Sequence, residues 1–393
     1  MLDTRAERLN KGDLKGYLAP LSEEAQAAEQ NFAQGSLTVP LSSRQLHLSA
    51  STPPPNSKTL KDIKVDFIYR YEGLPQDNTF RITWIYDLED RDGSWHVAHS
   101  RPEVGTHFPI WANGPTETKR SEHFLALFHP GLAKADETMK IAEEARAQLA
   151  KKLSFPLEDD QLLLLARDRA EYMQLSARAA PVSAIAQAET AFEVTPSSIT
   201  IRSRQIVLNL EKLFDDGAAK ETFVHELGHL ALAKQTRPFT PAWVSEAAAM
   251  FLAETRPVDT WKEGIRRGVF DTISLVQLNR ASNLGLHDPS GEAASFEYAY
   301  ASAASWYLTQ TFGSETFFDF YESYTEVSAS TFYDRLPEQR TPQQEEQAVA
   351  TLAEETTTAS IQKLFGISTS ELDARVRQWI RNEIRKPGSR GNG

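Results

Sequence analysis

His225 and His229 stand four residues apart in Val224-His225-Glu226-Leu227-Gly228-His229. On a helix that spacing stacks both imidazoles on one face, where they can bind one metal ion. Glu226 lies between them in sequence and projects beside the same face. A further carboxylate, Glu246, follows after a short proline-containing connection. Two imidazoles and a carboxylate are the protein ligands of a hydrolytic zinc site that keeps its fourth position open. Such a site acidifies water, and a neighbouring Glu226 would take the proton.

These groups need rigid elements. Phe223, Val224, Leu227, Leu230 and Leu232 make the first helix apolar on most sides, so it should be buried. Buried histidines and a buried glutamate require partners, which a metal supplies directly. Gly228 costs that helix about 1 kcal/mol relative to alanine, so close backbone packing beside the site is expected there. Thr240 suits an N-cap and Pro241 the first helical position, which starts a second helix. Glu246 then falls on its second turn among Trp243, Val244, Ala247, Ala248 and Phe251. Glu254, two turns further on, either supports the site from behind or lies at the surface.

A third histidine following a glycine would mark a different zinc class, and Leu230–Arg237 contains none; with no cysteine in the chain, thiolate ligation is excluded. His-Glu-Leu-Gly-His followed by Pro-x-Trp-x-x-Glu resembles the gluzincin clan and, within it, the peptidase MA-like family. Tyr298-Ala299, Trp306-Tyr307-Leu308 and Phe312-Gly313 resemble that family's tyrosine-bearing helix, and Leu364-Phe365-Gly366-Ile367-Ser368 its closing signature. The resemblance covers about residues 120–385. It implies Zn2+ on His225, His229 and Glu246, with Glu226 as general base. A phenol on the later helix would stabilise the oxyanion: Tyr298 by its place, with Tyr300 as runner-up. Ala247 stands where the family usually has glycine. Met250 stands where related enzymes have aspartate, so support for His225 must come from elsewhere.

Ahead of this region the pattern differs. Residues 3–22 have helical periodicity interrupted near Gly12, and strand-like runs follow at Ser36–Leu41 and Gln45–Ala50, then a Pro53-Pro54-Pro55 loop. Val65, Phe67, Tyr69 and Tyr71 alternate, as do Phe80, Ile82, Trp84 and Tyr86, ahead of an Asp92-Gly93 turn and Ser94–Ala98. A helix before an antiparallel meander predicts an accessory domain over 1–115, resembling cystatin-like and nuclear-transport-factor-like cone folds, with Gly93-Ser94-Trp95 in the last hairpin. His47, His96, His99, His107 and His123, in or just after it, read as structural or surface residues. The metallopeptidase domain, 120–385, should carry a long helix over 131–153, a strand at 160–166 and a short helix at 168–177. A strand pair at 198–210 should lead into the metal helix. Helices should follow at 272–280, 293–312, 314–325 and Ser370–Arg385, with a polar stretch at Gln343–Gln347. Lys386–Gly393 reads as a disordered tail. The expected class is α+β.

Bulk composition is that of an ordinary globular protein, 40% hydrophobic and 24% charged. A net charge of −12 argues against nucleic acid as a partner, and no apolar run reaches the ~18 residues of a membrane span. The expected function is zinc-dependent hydrolysis of a peptide or protein substrate. One rival is a catalytically inactive binding or scaffold protein with a structural zinc site, against which the intact Glu226 speaks. Another is hydrolysis of a non-peptide amide. No Gly-x-Met-Glu-Asn exopeptidase signature precedes His225, which favours an endopeptidase. Specificity and oligomeric state stay open. So does the compartment: extracellular or cell-envelope if an export segment precedes Met1, otherwise cytoplasmic.

Overall fold

The computed structural model describes residues 1–49, 57–157, 160–176, 184–215, 217–280, 284, 292–336 and 341–386. The expected Pro53–Pro55 loop and all of the expected tail beyond Lys386 lie outside the described residues.

The chain opens with helices α1 (Leu2–Asn10) and α2 (Leu14–Leu18), broken at Gly12, whose φ of 75° a side chain would resist. A third helix, α3 (Glu23–Ser36), starts at Ser22, whose hydroxyl accepts from the Ala25 N–H. Here the structure corrects the sequence reading. Ser36 closes a helix, and the strand expected at Ser36–Leu41 begins only at Leu41. Strands β1 (Leu41–Leu48), β2 (Thr59–Tyr71), β3 (Phe80–Arg91) and β4 (Ser94–Pro102) form an antiparallel sheet in that order. Asp92 and Gly93 turn β3 into β4 with φ of 54° and 85°. The alternating residues foreseen on β2 and β3 are all buried. Phe32 of α3 packs edge-on against Phe67 and Trp84, with centroids at 4.8 and 5.4 Å.

Between these helices and the sheet lies a buried ion pair. Arg5 Nη2 donates to Glu29 Oε2 at 2.7 Å, and the same oxygen accepts from the Tyr17 hydroxyl at 2.6 Å. Ser100 donates to Glu29 Oε1 at 2.7 Å, and Arg5 Nη1 to the Tyr86 hydroxyl at 3.1 Å. Both carboxylate oxygens are thereby satisfied, the condition for holding a charge away from water.

The second sheet comprises β5 (Glu117–Arg120), β6 (Phe124–Phe128), β7 (Gln161–Ala166), β8 (Ala186–Thr195) and β9 (Ser198–Asn209), ordered β5-β6-β7-β9-β8. β6, β7 and β9 run parallel, and β5 is antiparallel to β6. β7 is buried at every position, as its unbroken leucine run requires of a parallel strand covered on both faces. Helix α4 (Ala135–Ala150) connects β6 to β7, and α5 (Arg169–Leu175) follows β7. The strand pair expected at 198–210 is one strand, β9; its partner β8 lies earlier, at the sheet edge, across a turn at Pro196-Ser197.

Helices complete the chain: α6 (Leu210–Asp215), α7 (Ala219–Ala231), α8 (Ala242–Ala253), α9 (Val258–Arg267), α10 (Leu275–Leu278), α11 (Glu292–Phe312), α12 (Ser314–Glu322), α13 (Ala329–Asp334), α14 (Pro342–Phe365) and α15 (Thr369–Glu383). The polar stretch at Gln343–Gln347 is the exposed first turns of α14, begun by a capping box in which Thr341 and Gln344 satisfy each other's backbone. The architecture is α+β, and no helix among the described residues is long and apolar enough to cross a membrane.

By compactness the chain divides into two units. One comprises Met1–Glu143, Glu158–Arg178 and Arg202–Asp215; the other comprises Glu144–Leu157, Ala179–Ile201 and Asp216–Gly393. Within the first, Asn78 joins the two sheets: its carbonyl accepts from Arg204 N at 2.8 Å and its amide donates to Arg204 O at 3.2 Å. The second unit contains α7, α8 and the candidate site.

Candidate metal centre

Helix α7 buries Phe223, Val224, Leu227 and Leu230, and α8 buries Trp243, Val244 and Ala247 through Met250. Each large side chain so buried contributes about 1.5–3 kcal/mol, which holds the two helices together. A Cβ on Gly228 would come 3.3 Å from Leu252 Cδ1 and 3.5 Å from the Ala249 Cα, so the glycine lets α7 approach α8 closely. Ser245 N–H and Val244 N–H both bond to Pro241 O at the start of α8. Pro241 thus occupies the capping position foreseen for Thr240, whose hydroxyl instead accepts from Arg237 N at 2.9 Å. At the other end Lys152 Nζ donates to Leu252 O at 2.7 Å, a cation placed at the negative end of the helix dipole. Glu254 pairs with that lysine at 3.2 Å from an exposed, left-handed capping position, so it is a surface residue.

This packing brings three of the foreseen residues together. His225 Nε2 lies 3.1 Å from Glu246 Oε2 and 3.1 Å from His229 Nε2, and the remaining edge, His229 Nε2 to Glu246 Oε2, is 3.5 Å. Ligands about 2.0–2.1 Å from a tetrahedral ion are separated by about 3.4 Å. The three side chains are half-buried and their donor atoms form the cluster a metal ion would require, so the residues present fit such an ion.

The electrostatics agree. Burial alone would raise the Glu246 carboxyl, but the imidazoles of His229 and His225 overcome it and hold the group well below the usual carboxylate range. Burial opposes charge on His225, yet hydrogen bonding and attraction to Glu246, with smaller contributions from Glu226 and Glu221, raise it above its ordinary value. Glu226 behaves differently. Burial pushes its carboxyl upward, and His225, His229 and a backbone bond only partly offset the shift. That bond comes from the Ala188 N–H on β8, which donates to Glu226 Oε2 at 2.6 Å.

The two tyrosines on α11 separate. Tyr300 is buried, and its hydroxyl donates to Asp373 Oδ1 on α15 at 2.8 Å. Residues two apart on a helix leave it about 200° apart; Tyr298 is half-buried. Two contributors escaped the sequence reading. Ser245 accepts from or donates to His229 Nδ1 at 3.1 Å; a lone serine beside Glu246 in an otherwise apolar helix was its only signal. The Ala188 amide is a backbone group and leaves no trace in residue type.

Comparison with protein families and with curated proteins gives no match to the chain. Among solved structures it is similar to an M1 zinc metallopeptidase from Deinococcus radiodurans, at 12% identity and a TM-score of 0.34. The alignment covers 82% of this chain and 62% of that one, so the chain spans less than two thirds of that structure's length.

Proposed function

We propose that the protein is a zinc-dependent peptidase acting on peptide or protein substrates, with residues 120–385 as its catalytic domain and 1–115 as an accessory domain. The observation that carries this reading is the triangle of His225 Nε2, His229 Nε2 and Glu246 Oε2, with edges of 3.1, 3.1 and 3.5 Å. A zinc ion held there would supply a water acidified toward neutrality and a Lewis acid for the scissile carbonyl.

Glu226 serves as the base. Its raised pKa suits a group that takes the proton of the attacking water and returns it to the leaving amine. The Ala188 N–H holds Oε2, which assigns the proton work to Oε1. Tyr298 donates to the developing oxyanion; the commitment of the Tyr300 hydroxyl to Asp373 supports that choice. A purely structural zinc site has no use for Glu226, and its placement beside the triangle supports the enzyme reading. The lack of the exopeptidase signature favours cleavage within chains.

The test is metal analysis of purified protein together with cleavage of a peptide library with and without chelator. About one zinc per chain and chelator-sensitive cleavage are expected; finding neither would overturn the proposal.

A further inference from the structure

Trp243 lies one turn before Glu246 on α8 and is wholly buried. Its ring stands 6.1 Å from that of Phe320 on α12, at an interplanar angle of 32°. Its indole N–H donates to Asn279 Oδ1 at 2.7 Å. Asn279 is itself only 2% exposed, so solvent does not substitute for that acceptor. A buried indole needs such a partner. Apolar contacts tolerate sliding, whereas a hydrogen bond weakens as its angle opens. The Asn279 carbonyl therefore gives the packing of Trp243 a direction.

Asn279 holds its place because α10 is gripped at its opposite end. This one-turn helix, too short to be stable alone, begins with a capping box between Ser274 and Gln277. The N–H of its first residue, Leu275, donates to Asp373 Oδ1 on α15 at 3.0 Å. The same carboxylate accepts from the Tyr300 hydroxyl at 2.8 Å and from Arg377 Nη2 at 2.5 Å. Arg377 also donates to the carbonyls of Phe270 and Ile273, at 2.7 and 2.8 Å. Leu275 and Leu278 are buried, and the Asn279 N–H closes the turn on Leu275 O at 2.9 Å. Helix α10 is thus a bracket, fixed to α15 at one end and to α8 at the other.

We propose that Asn279 is a positioning residue for the metal centre: by holding the Trp243 indole it sets the rotation of α8 about its own axis, and with it the place of Glu246 Oε2 opposite His225 and His229. The inference rests on the metal-centre reading above. Its leverage follows from helix geometry. Side-chain ends lie about 5–6 Å from a helix axis, so turning α8 by about 10° carries the Glu246 carboxylate about 1 Å. Metal–ligand distances tolerate about 0.2 Å. The 3.1 Å edge between Glu246 Oε2 and His225 Nε2 is therefore sensitive to a rotation that leaves the apolar contacts of α8 nearly intact. Metal affinity then depends on α10, a helix that contributes no ligand.

The test uses the full-length protein with zinc or cobalt. Zinc affinity measured against a chromogenic chelator should fall about 10- to 100-fold in Asn279→Ala and in Trp243→Phe, which removes the donor but keeps an aromatic ring. Asn279→Asp keeps an oxygen toward the indole and should restore most of the affinity. The double variant Trp243→Phe/Asn279→Ala should lose little more than the worse single one, because both remove the same bond. Visible absorption of the cobalt-loaded protein, which reports ligand geometry, should change in Asn279→Ala and return in Asn279→Asp. A role in packing alone would lower the melting temperature in chelator while leaving metal affinity and the cobalt spectrum untouched. That pattern in Asn279→Ala and Trp243→Phe would overturn the proposal, as would additive losses of affinity in the double variant. Trp243→Phe keeps most of the buried bulk, so the bond is tested even where Asn279→Ala does not fold. The two readings fail separately: wild-type protein that takes no metal defeats the metal centre, whereas metal-binding protein indifferent to both substitutions defeats the bracket.

Discussion

Glu246 Oε2 lies 3.1 Å from His225 Nε2, although the residues belong to separate helices and stand 21 apart in the chain. The two helices pack face to face there, with Gly228 of α7 lying against Ala249 and Leu252 of α8. Glu246→Ala should therefore abolish stoichiometric zinc binding while the helices stay packed, since the substitution adds no bulk. Metal content by mass spectrometry, alongside a far-ultraviolet circular dichroism spectrum, checks this. Retention of wild-type zinc would remove Glu246 from the ligand set.

Glu226→Gln separates binding from catalysis. The amide keeps an oxygen to accept from the Ala188 N–H but cannot take a proton from water. Zinc content should stay at the wild-type level while kcat falls about 10²- to 10⁴-fold. Full peptidase activity in this variant would show that the base is another group.

The tyrosines of α11 should part in function as they part in direction. Tyr298→Phe is expected to lower kcat about 10²-fold or more with little change in KM or melting temperature. Tyr300→Phe removes a buried bond to Asp373 and should cost about 1–3 kcal/mol of stability while leaving kcat of the folded protein intact. Steady-state kinetics paired with thermal melts distinguish them, and the opposite pattern would exchange their roles.

The pH dependence of the metal-free protein follows from the signs of two shifts. His225 is raised on folding, so its contribution is complete below the unfolded value of about 6.5 and is lost as pH rises through the folded one. Glu246 is lowered, so its contribution is present above the unfolded value of about 4.3 and disappears only in strong acid. The stabilisation from this pair should peak between about pH 4.3 and 6.5. In chelator, the melting-temperature gap between wild type and Glu246→Gln should be widest there and narrow toward about pH 8. With zinc the gap should widen as pH rises, because protons compete with the metal for the imidazoles. A gap independent of pH in both conditions would contradict the pairing.

Arg5 and Glu29 are 1% and 0% exposed, and each leaves the other an isolated buried charge when removed. Arg5→Met or Glu29→Leu alone should destabilise by about 3–5 kcal/mol. The double variant should recover much of that loss, because no charge is left buried. Chemical denaturation of the four proteins gives the coupling directly. Additive losses would mean that the pair contributes nothing as a pair.

Much of this protein was legible in its sequence. The His225–His229 spacing, Glu226 and the place of Glu246 on a helix after Pro241 depend on local periodicity and backbone chemistry, which neighbouring residues determine. The β2, β3 and β4 strands were legible for the same reason: alternation such as Val65, Phe67, Tyr69 and Tyr71 records which face is buried. Elements without a strong period were missed, among them α3, β8 and the polar first turns of α14, whose amphipathic or edge character depends on what lies against them. The sequence placed Thr240 one residue away from the true cap and ranked Tyr298 ahead of Tyr300 only through a resemblance. Only tertiary structure could commit the Tyr300 hydroxyl to Asp373, because direction around a helix acquires meaning once α15 stands on one side of it. Tertiary structure also decided the geometry of the candidate site. A motif names candidate ligands, but the separation of 3.1 Å between His225 and Glu246 depends on how α7 packs against α8, and the Ser245 hydroxyl beside His229 Nδ1 comes from that second helix.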